Sequence, residues 1–301
     1  MLPRSLKQDC ETRWNTKLDM MAAVLFSYDE VMDILQTRGE WHRMRNTSKE
    51  TLQMLVKFLQ PFKDATLELS GSKYPTMNRV VLWKSKLMAN CQPSASDTTA
   101  MEVLKRRCLQ LLDARIQVHD HAKLAVLLSP KFKQLRMFSQ QEKEAIYDLA
   151  RVELSNFPPP EEQEEQMETS QSSQATVTEE ELETGAAAPF SEWEDQEDHE
   201  AAAESDEVDR YLQLKITPLP PTMGPDGKLQ PAKEETVLAF WKRHAKSFPK
   251  MARLAKKILC VPATSVSCEA TFSKSGRTLE ERRTQLGTAT VNALLFLNSN
   301  M

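Results

Sequence analysis

The chain is short of glycine, of aromatic side chains and of long apolar runs. Its 301 residues include 7 glycines, and aromatic residues make up 7%, whereas an all-β sandwich needs many tight turns. The longest apolar runs, such as residues 124–128, are far shorter than the roughly 20 residues of a membrane-spanning helix. No basic segment followed by an apolar one opens the sequence, so we expect no secretion signal. These absences favour a helical protein without a membrane partner.

The five cysteines show none of the close pairing that marks zinc or redox sites. They are Cys10, Cys91, Cys108, Cys260 and Cys268, and no two of them are separated by two residues. This spacing predicts reduced thiols in an intracellular protein and no metal site.

Basic residues are missing from one long segment. Residues 152–209 hold 20 Asp and Glu but no Lys or Arg. The formal net charge of −4 therefore conceals a basic remainder, in which 39 Lys and Arg face 23 acids. A basic body suits a partner that carries phosphates. The alternative interpretation is an ordinary solvated, lysine-rich helical surface.

Apolar spacing divides the chain into three parts. Residues 1–154 show helical periodicity, with Ser48 placed to cap one helix and Pro61 expected to kink or end it. Residues 155–232 are acidic and proline-rich, and they have too few apolar side chains to offset the entropy of ordering, so we expect most of them to be disordered. Residues 233–301 are again expected to be helical.

In this last part, two helices are predicted in succession. Val237, Leu238 and Trp241 share one face of the first helix. Ser247 is expected to cap the second, which has Pro249 in its first turn.

Four segments of the sequence occur in an order that is typical of one family. They are residues 12–16 (Thr-Arg-Trp-Asn-Thr), 59–76 (beginning Leu-Gln-Pro-Phe-Lys), 127–133 (Leu-Leu-Ser-Pro-Lys-Phe-Lys) and 237–300. Together they resemble the C-terminal half of hAT-superfamily transposases and of the zinc-finger BED-type proteins derived from them. Three positions depart from the family pattern: Ser129 stands where Asp is usual, Cys268 stands where Ser is usual, and Ala270 stands where Arg is usual.

The resemblance implies a mainly α chain in three parts. These are a partial RNase H-like transposase core with a helical insertion domain in residues 1–154, a disordered acidic linker in residues 155–232, and a helical hAT C-terminal dimerisation region in residues 233–301. It also implies a nuclear protein whose partners are a second copy of itself, as a homodimer or higher oligomer, and DNA.

In the family, two aspartates and one glutamate hold two divalent metal ions for phosphoryl transfer. The resemblance places the glutamate at Glu269. The alternative interpretation is that Glu269 is an ordinary solvated helix residue. The aspartates normally precede the Arg-Trp segment by some distance, whereas Asp9 lies too close to Thr12 to serve as either. No Cys and His spacing of a BED zinc finger is present. We therefore expect no catalysis and no cofactor, with Mg²⁺ relevant only if the missing core is supplied.

DNA contacts are expected from two groups of residues. The family associates the Arg13–Trp14 pair with DNA near the cleaved end, and an indole can stack on a base while Arg pairs with a phosphate. Trp14 could equally cover the core beside a long helix. The second group is the basic cluster Arg277, Arg282 and Arg283.

The apolar side chains of the last part must be buried against the first part or against a second copy. The residues expected at a dimer contact are Trp241, Leu254, Ile258, Phe272, Val291, Leu294, Leu295 and Phe296. Two functions follow. One is a transposase-derived, non-catalytic protein that dimerises and binds DNA or regulates transcription. The other is the C-terminal part of a DDE-type DNA transposase that contributes the catalytic Glu269.

Overall fold

The computed structural model confirms that the protein is mainly α-helical. The residues that it describes are 6–10, 14–157, 190–193, 206–216, 222–223, 229–230, 235–266, 268–269, 271–273 and 287–300. Among them, the strands are β1 (Thr222–Met223) and β2 (Leu229–Gln230), which pair antiparallel with Thr222 opposite Gln230. The RNase H-like part of the expectation stays a prediction.

The chain divides into two compact units. The first consists of Met1–Glu68 and Lys86–Ile116, and the second consists of Leu69–Ser85 and Gln117–Met301. In the described residues, no helix is both long enough and apolar enough to cross a bilayer.

Helices dominate the first unit. They are α1 (Trp14–Phe26), α2 (Tyr28–Thr37), α3 (Lys49–Leu69), the end of α4 (Val80–Asn90) and α5 (Thr99–Arg115). Apolar side chains from these helices, together with Cys91 just after α4, form its core. The helical residues are Leu18, Ala23, Leu52, Phe58, Ala65, Leu87, Met101 and Leu112.

Helix α3 does not end at Pro61, although the sequence suggested a kink or an end there. Ser48 caps the helix as predicted, because its hydroxyl accepts a hydrogen bond from the backbone N–H of Thr51 at 3.1 Å. Proline lacks an N–H and crowds the preceding turn. The carbonyl that Pro61 leaves without its helical donor is that of Lys57, four residues earlier. Beside it, the Asn90 carboxamide donates to the carbonyl of Phe58 at 3.0 Å, so a side chain from outside the helix also holds the turn before the proline.

The second unit is built around a short apolar helix. Its helices are α6 (Asp120–Leu127), α7 (Gln140–Ser155), α8 (Glu207–Gln213), α9 (Val237–His244), α10 (Pro249–Leu259) and α11 (Thr288–Asn300), with 3₁₀ turns at Met77–Arg79, Pro130–Phe132 and Ser191–Trp193. Residues 124–128 are each at most 2% exposed. A segment that is apolar on every side belongs in a core. Helix α6, which contains most of this segment, contacts α7, α10 and the 3₁₀ turns at Met77–Arg79 and Pro130–Phe132.

The segment 155–232, predicted to be mostly disordered, contains a buried aromatic residue and a short helix that its composition did not indicate. Phe190 is 2% exposed, and its ring lies edge-on to Trp83 with centroids 5.1 Å apart. Helix α8 also falls within this segment. Single aromatic residues between acidic ones therefore anchor parts of the segment in the core, because each buries a large apolar area.

Two details of the C-terminal helices differ from the prediction. Helix α10 has Phe248, not Ser247, at its N-cap, and Pro249 is its first residue as expected. In α9, Phe240 and Trp241 are buried whereas Leu238 is 50% exposed. Aromatic bulk, rather than the predicted aliphatic spacing, decides which face of α9 turns inward.

Candidate functional site

Helix α10 connects the C-terminal helices to the rest of the second unit. Its five inward side chains are at most 4% exposed, and they are Met251, Leu254, Ala255, Ile258 and Leu259. The helix contacts α6, α7, α8 and α9. Its apolar stripe is therefore buried within its own chain, and this places two of the residues expected at a dimer contact, Leu254 and Ile258, in the intrachain core.

Two aromatic side chains satisfy backbone carbonyls at the end of α6. The hydroxyl of Tyr211 donates to the Leu127 carbonyl at 2.9 Å, and the indole N–H of Trp241 donates to the Leu128 carbonyl at 2.7 Å. The last carbonyls of a helix lack partners inside the helix. Trp241, also expected at a dimer contact, is 5% exposed and therefore contributes to the core as well.

A buried lysine satisfies backbone carbonyls at the C-terminal end of α8. Lys133 is 4% exposed, and its ammonium donates to the Tyr211 carbonyl at 3.0 Å and to the Leu214 carbonyl. It also lies 5.6 Å from the centroid of the Tyr211 ring. Burying a lysine is costly unless it is hydrogen bonded. Here the charge meets the negative end of α8, where a cation is favoured.

The N-terminus of α8 is held to α7 by an ionic cluster. The Arg151 guanidinium donates to Asp206 at 2.6 Å, to Asp209 at 2.7 Å and to Asp148 at 2.9 Å. Asp206 also caps α8 by accepting from the Asp209 N–H at 2.7 Å. Burial would raise the pKa of Asp206, but this N–H and the guanidinium outweigh burial and hold the pKa below its ordinary value.

Helix α8 also caps α10. Phe248 at the N-cap of α10 has no side-chain acceptor to offer. The carboxylate of Glu207 fills that role, because it accepts from the backbone N–H of Met251 at 2.6 Å. An acidic group is favoured at a helix N-terminus. Contacts to α6, α7 and α10 thus converge on the seven residues of α8.

The last described helix presents apolar side chains to solvent. In α11, Val291 is 8% exposed, whereas Phe296 is 68% exposed and Leu297 is 53% exposed. At about 100° per residue, the exposed residues Ala289 and Ala293 lie on the same face as Phe296. We call these four exposed residues (Ala289, Ala293, Phe296 and Leu297) the α11 outer face.

The remaining residues expected at the dimer contact have different positions. Phe272 is 74% exposed, on a stretch that is helical wherever it is described between residues 266 and 273. Leu294 and Leu295 belong to α11, and their side chains lie outside the description.

Glu269 lies in the same helical stretch and is exposed. The hydroxyl of Ser265 donates to its carboxylate at 2.8 Å, and its backbone N–H donates to the Ser265 carbonyl at 2.9 Å. Within the described part of the chain, no three His, Cys, Asp or Glu side chains form a group that could hold a metal ion.

Ser129, at the position where the family usually has Asp, is part of the core. It is 1% exposed, accepts from the Asn78 carboxamide at 2.9 Å and donates to the Ala125 carbonyl at 3.1 Å. A serine can both donate and accept in this way, whereas an ionised aspartate only accepts.

Of the residues expected to contact DNA, one lies in the described part of the chain. Trp14 begins α1 and is 41% exposed. Arg13, Arg277, Arg282 and Arg283 lie outside the described residues.

Comparison with known proteins identifies the C-terminal region. Residues 207–301 match the family model of the hAT family C-terminal dimerisation region. The match begins at the first residue of α8, so the matched region includes the helix on which the contacts to α6, α7 and α10 converge. The resemblance inferred from the sequence is confirmed.

Individual relatives extend the similarity beyond this region. The chain is 26% identical to human "Zinc finger protein 618" and 25% identical to its mouse counterpart, in each case over 96% of the chain and 27% of the relative. It is 32% identical to the "Transposable element Hobo transposase" of Drosophila melanogaster, over 36% of the chain and 16% of that protein. The chain thus spans about a quarter of the zinc finger proteins that it matches.

Proposed function

We propose that this chain is a non-catalytic module derived from a hAT transposase, which self-associates through the α11 outer face and acts on DNA in the nucleus. One observation carries the proposal. A region that matches a dimerisation family buries the apolar faces of α9 and α10 within its own chain, yet exposes Phe296 and Leu297 on α11.

The exposed face has the composition of a contact surface. Large apolar side chains clustered on a surface are typical of interaction sites, and aromatic residues are enriched in the centres of interfaces. Burying one phenylalanine contributes about 1.5–3 kcal/mol. In a symmetric dimer each copy contributes the same face, so two Phe296 side chains are buried and both stabilise the dimer.

The non-catalytic part of the proposal is supported by the surroundings of Glu269. Its carboxylate is exposed and accepts from a hydroxyl one helical turn away, as in an ordinary solvated helix residue. We expect no nicking of duplex DNA by the chain with Mg²⁺ or Mn²⁺. Metal-dependent nicking that Glu269→Gln abolishes would contradict this part and favour a transposase fragment.

The DNA-associated part of the proposal is supported by charge and by the relatives. Outside residues 152–209 the chain carries 39 bases against 23 acids, and a basic body favours a phosphate-bearing partner. The matched proteins are named as transposases and as a zinc finger protein.

Self-association is tested by the mass of the full chain in solution. Light scattering after size exclusion measures mass independently of shape. We expect twice the monomer mass of 34.3 kDa at micromolar concentration. A mass of 34.3 kDa at every concentration would contradict the proposal.

A further inference from the structure

The segment that forms α9 and α10 contains bases and no acids. Residues 236–268 hold seven Lys and Arg but no Asp or Glu. All seven are exposed. We call them the α9–α10 basic surface: Lys242, Arg243, Lys246, Lys250, Arg253, Lys256 and Lys257.

Local contacts engage only some of these seven side chains. Arg243 pairs with Glu235, Lys257 pairs with Glu153 at 2.7 Å, and the Arg253 guanidinium lies 5.0 Å from the Phe157 ring. The other four lysines form no ion pair within the described residues, and they are Lys242, Lys246, Lys250 and Lys256. Like charges on one surface repel one another, and a polyanion would relieve this repulsion.

The fold restricts which polyanion can bind. A basic amphipathic helix often lies on a membrane by inserting its apolar face. In α10 that face is closed, because Met251, Leu254 and Ile258 are at most 1% exposed. Only the charged face is available, and it requires a partner that is itself a charged surface.

The same surface lacks the means to stack on bases. Single-stranded nucleic acids are bound by grooves with exposed aromatic side chains. Phe240, Trp241 and Phe248, the aromatic residues of this part other than His244, are at most 6% exposed. Lys250, Arg253 and Lys257 instead form a row that extends about 10 Å along a rigid helix, and a DNA duplex carries one negative charge per ~1.7 Å of its axis.

We propose that the α9–α10 basic surface binds the phosphate backbone of double-stranded DNA without regard to sequence. The inference rests on the DNA-associated function proposed above. It assigns DNA binding to residues other than the Arg13–Trp14 pair and the basic cluster that contains Arg277. Each lysine that contacts a phosphate releases a counterion, so binding by this surface weakens steeply as salt rises.

The test compares two variants of the full chain that lose the same charge. One replaces Lys242, Lys246, Lys250 and Lys256 with Gln, and the matched control replaces Lys57, Lys73, Arg107 and Arg115 with Gln. All eight positions are exposed, and Gln preserves helix propensity. Affinity for a fluorescent 30-base-pair duplex is measured by anisotropy from 50 to 200 mM NaCl.

For the α9–α10 variant we expect at least a tenfold loss of affinity at 100 mM NaCl. The slope of log K against log salt should shrink by about 3–4, close to one for each lost phosphate contact. The control variant should stay within about threefold of the wild type. Equal losses in both variants, or no loss in the first, would overturn this inference while leaving DNA binding itself intact.

Two further outcomes separate this inference from the proposed function. A wild-type chain that binds no duplex refutes both this surface and the DNA-associated function. Tighter binding to vesicles of anionic phospholipid than to the duplex refutes the surface alone. Circular dichroism of each variant shows that the helices remain formed, and light scattering shows whether self-association is retained.

Discussion

At the scale of single residues, the second unit depends on side chains that bond to distant backbone carbonyls. Trp241 and Leu128 are 113 positions apart, and Tyr211 and Leu127 are 84 apart. Each contact buries a large aromatic ring and also supplies a donor to a carbonyl that α6 cannot satisfy itself. A buried carbonyl without a donor costs about 1–3 kcal/mol.

Replacing Trp241 with Phe tests this dual role. The variant keeps an aromatic ring but loses the N–H, so we expect the free energy of unfolding to fall by about 1–3 kcal/mol. Urea denaturation followed by far-ultraviolet circular dichroism measures the change. Trp14→Phe is the matched control, because the same substitution at a 41% exposed position should cost less than about 0.5 kcal/mol. Equal costs at the two positions would show that the hydrogen bond contributes nothing.

Residue spacing predicted that Trp241, Leu254 and Ile258 turn toward an apolar partner, but it left that partner open. Helical periodicity reports only which face is buried. The partner proved to be the same chain, through α6 and α7. Lys133 was missed altogether, since a lysine in a sequence is expected at the surface unless a distant acceptor is known.

At the scale of secondary-structure elements, α8 has a larger role than its length suggests. It bonds to α7 through Asp209, caps α10 through Glu207 and bonds to the last carbonyl of α6 through Tyr211. A helix of seven residues is not stable alone in water. Its tertiary contacts therefore stabilise it, and it joins three other helices in return.

The charge of Asp206 makes this junction sensitive to acid. Its pKa is lowered in the folded protein, so the carboxylate contributes stability above the unfolded-state pKa of about 3.9. That stability is lost as the pH falls through the lower, folded-state pKa. Asp206→Asn should keep the helix cap, because Asn caps as well as Asp, while removing the charge.

We expect Asp206→Asn to lower the urea midpoint of unfolding at pH 7. The difference from the wild type should shrink below about pH 4 and vanish once the wild-type carboxyl is protonated. Asp120→Asn, at an exposed carboxylate paired with Lys123, provides the control. A difference that is the same at pH 7 and pH 3 would show that the Arg151 cluster does not act through charge.

Helix α8 was missed because its flanks are acidic and its apolar residues are few. Val208 and Tyr211, three residues apart and both buried, with Asp206 before them, were the available signal. Residues 152–209 contain 20 acids. This acidic composition favoured a prediction of disorder over the short helical pattern. The longer helix α3 carries enough apolar periodicity to be predicted.

At the scale of the whole molecule, the C-terminal region has two separate roles, one in the core and one at the surface. Helices α8, α9 and α10 complete the core of the second unit, and the α11 outer face remains exposed to solvent. Removing everything after residue 232 would therefore unfold that core as well as remove the proposed dimer contact. Substitutions confined to α11 separate the two roles.

The most direct test of self-association is sedimentation equilibrium on Phe296→Gln combined with Leu297→Gln. A control pairs Val103→Gln with Leu111→Gln, two exposed apolar positions on α5 in the first unit. We predict that the wild type and the control both have twice the 34.3 kDa mass, whereas the α11 variant has 34.3 kDa with unchanged circular dichroism. A folded α11 variant that remains dimeric would contradict this prediction.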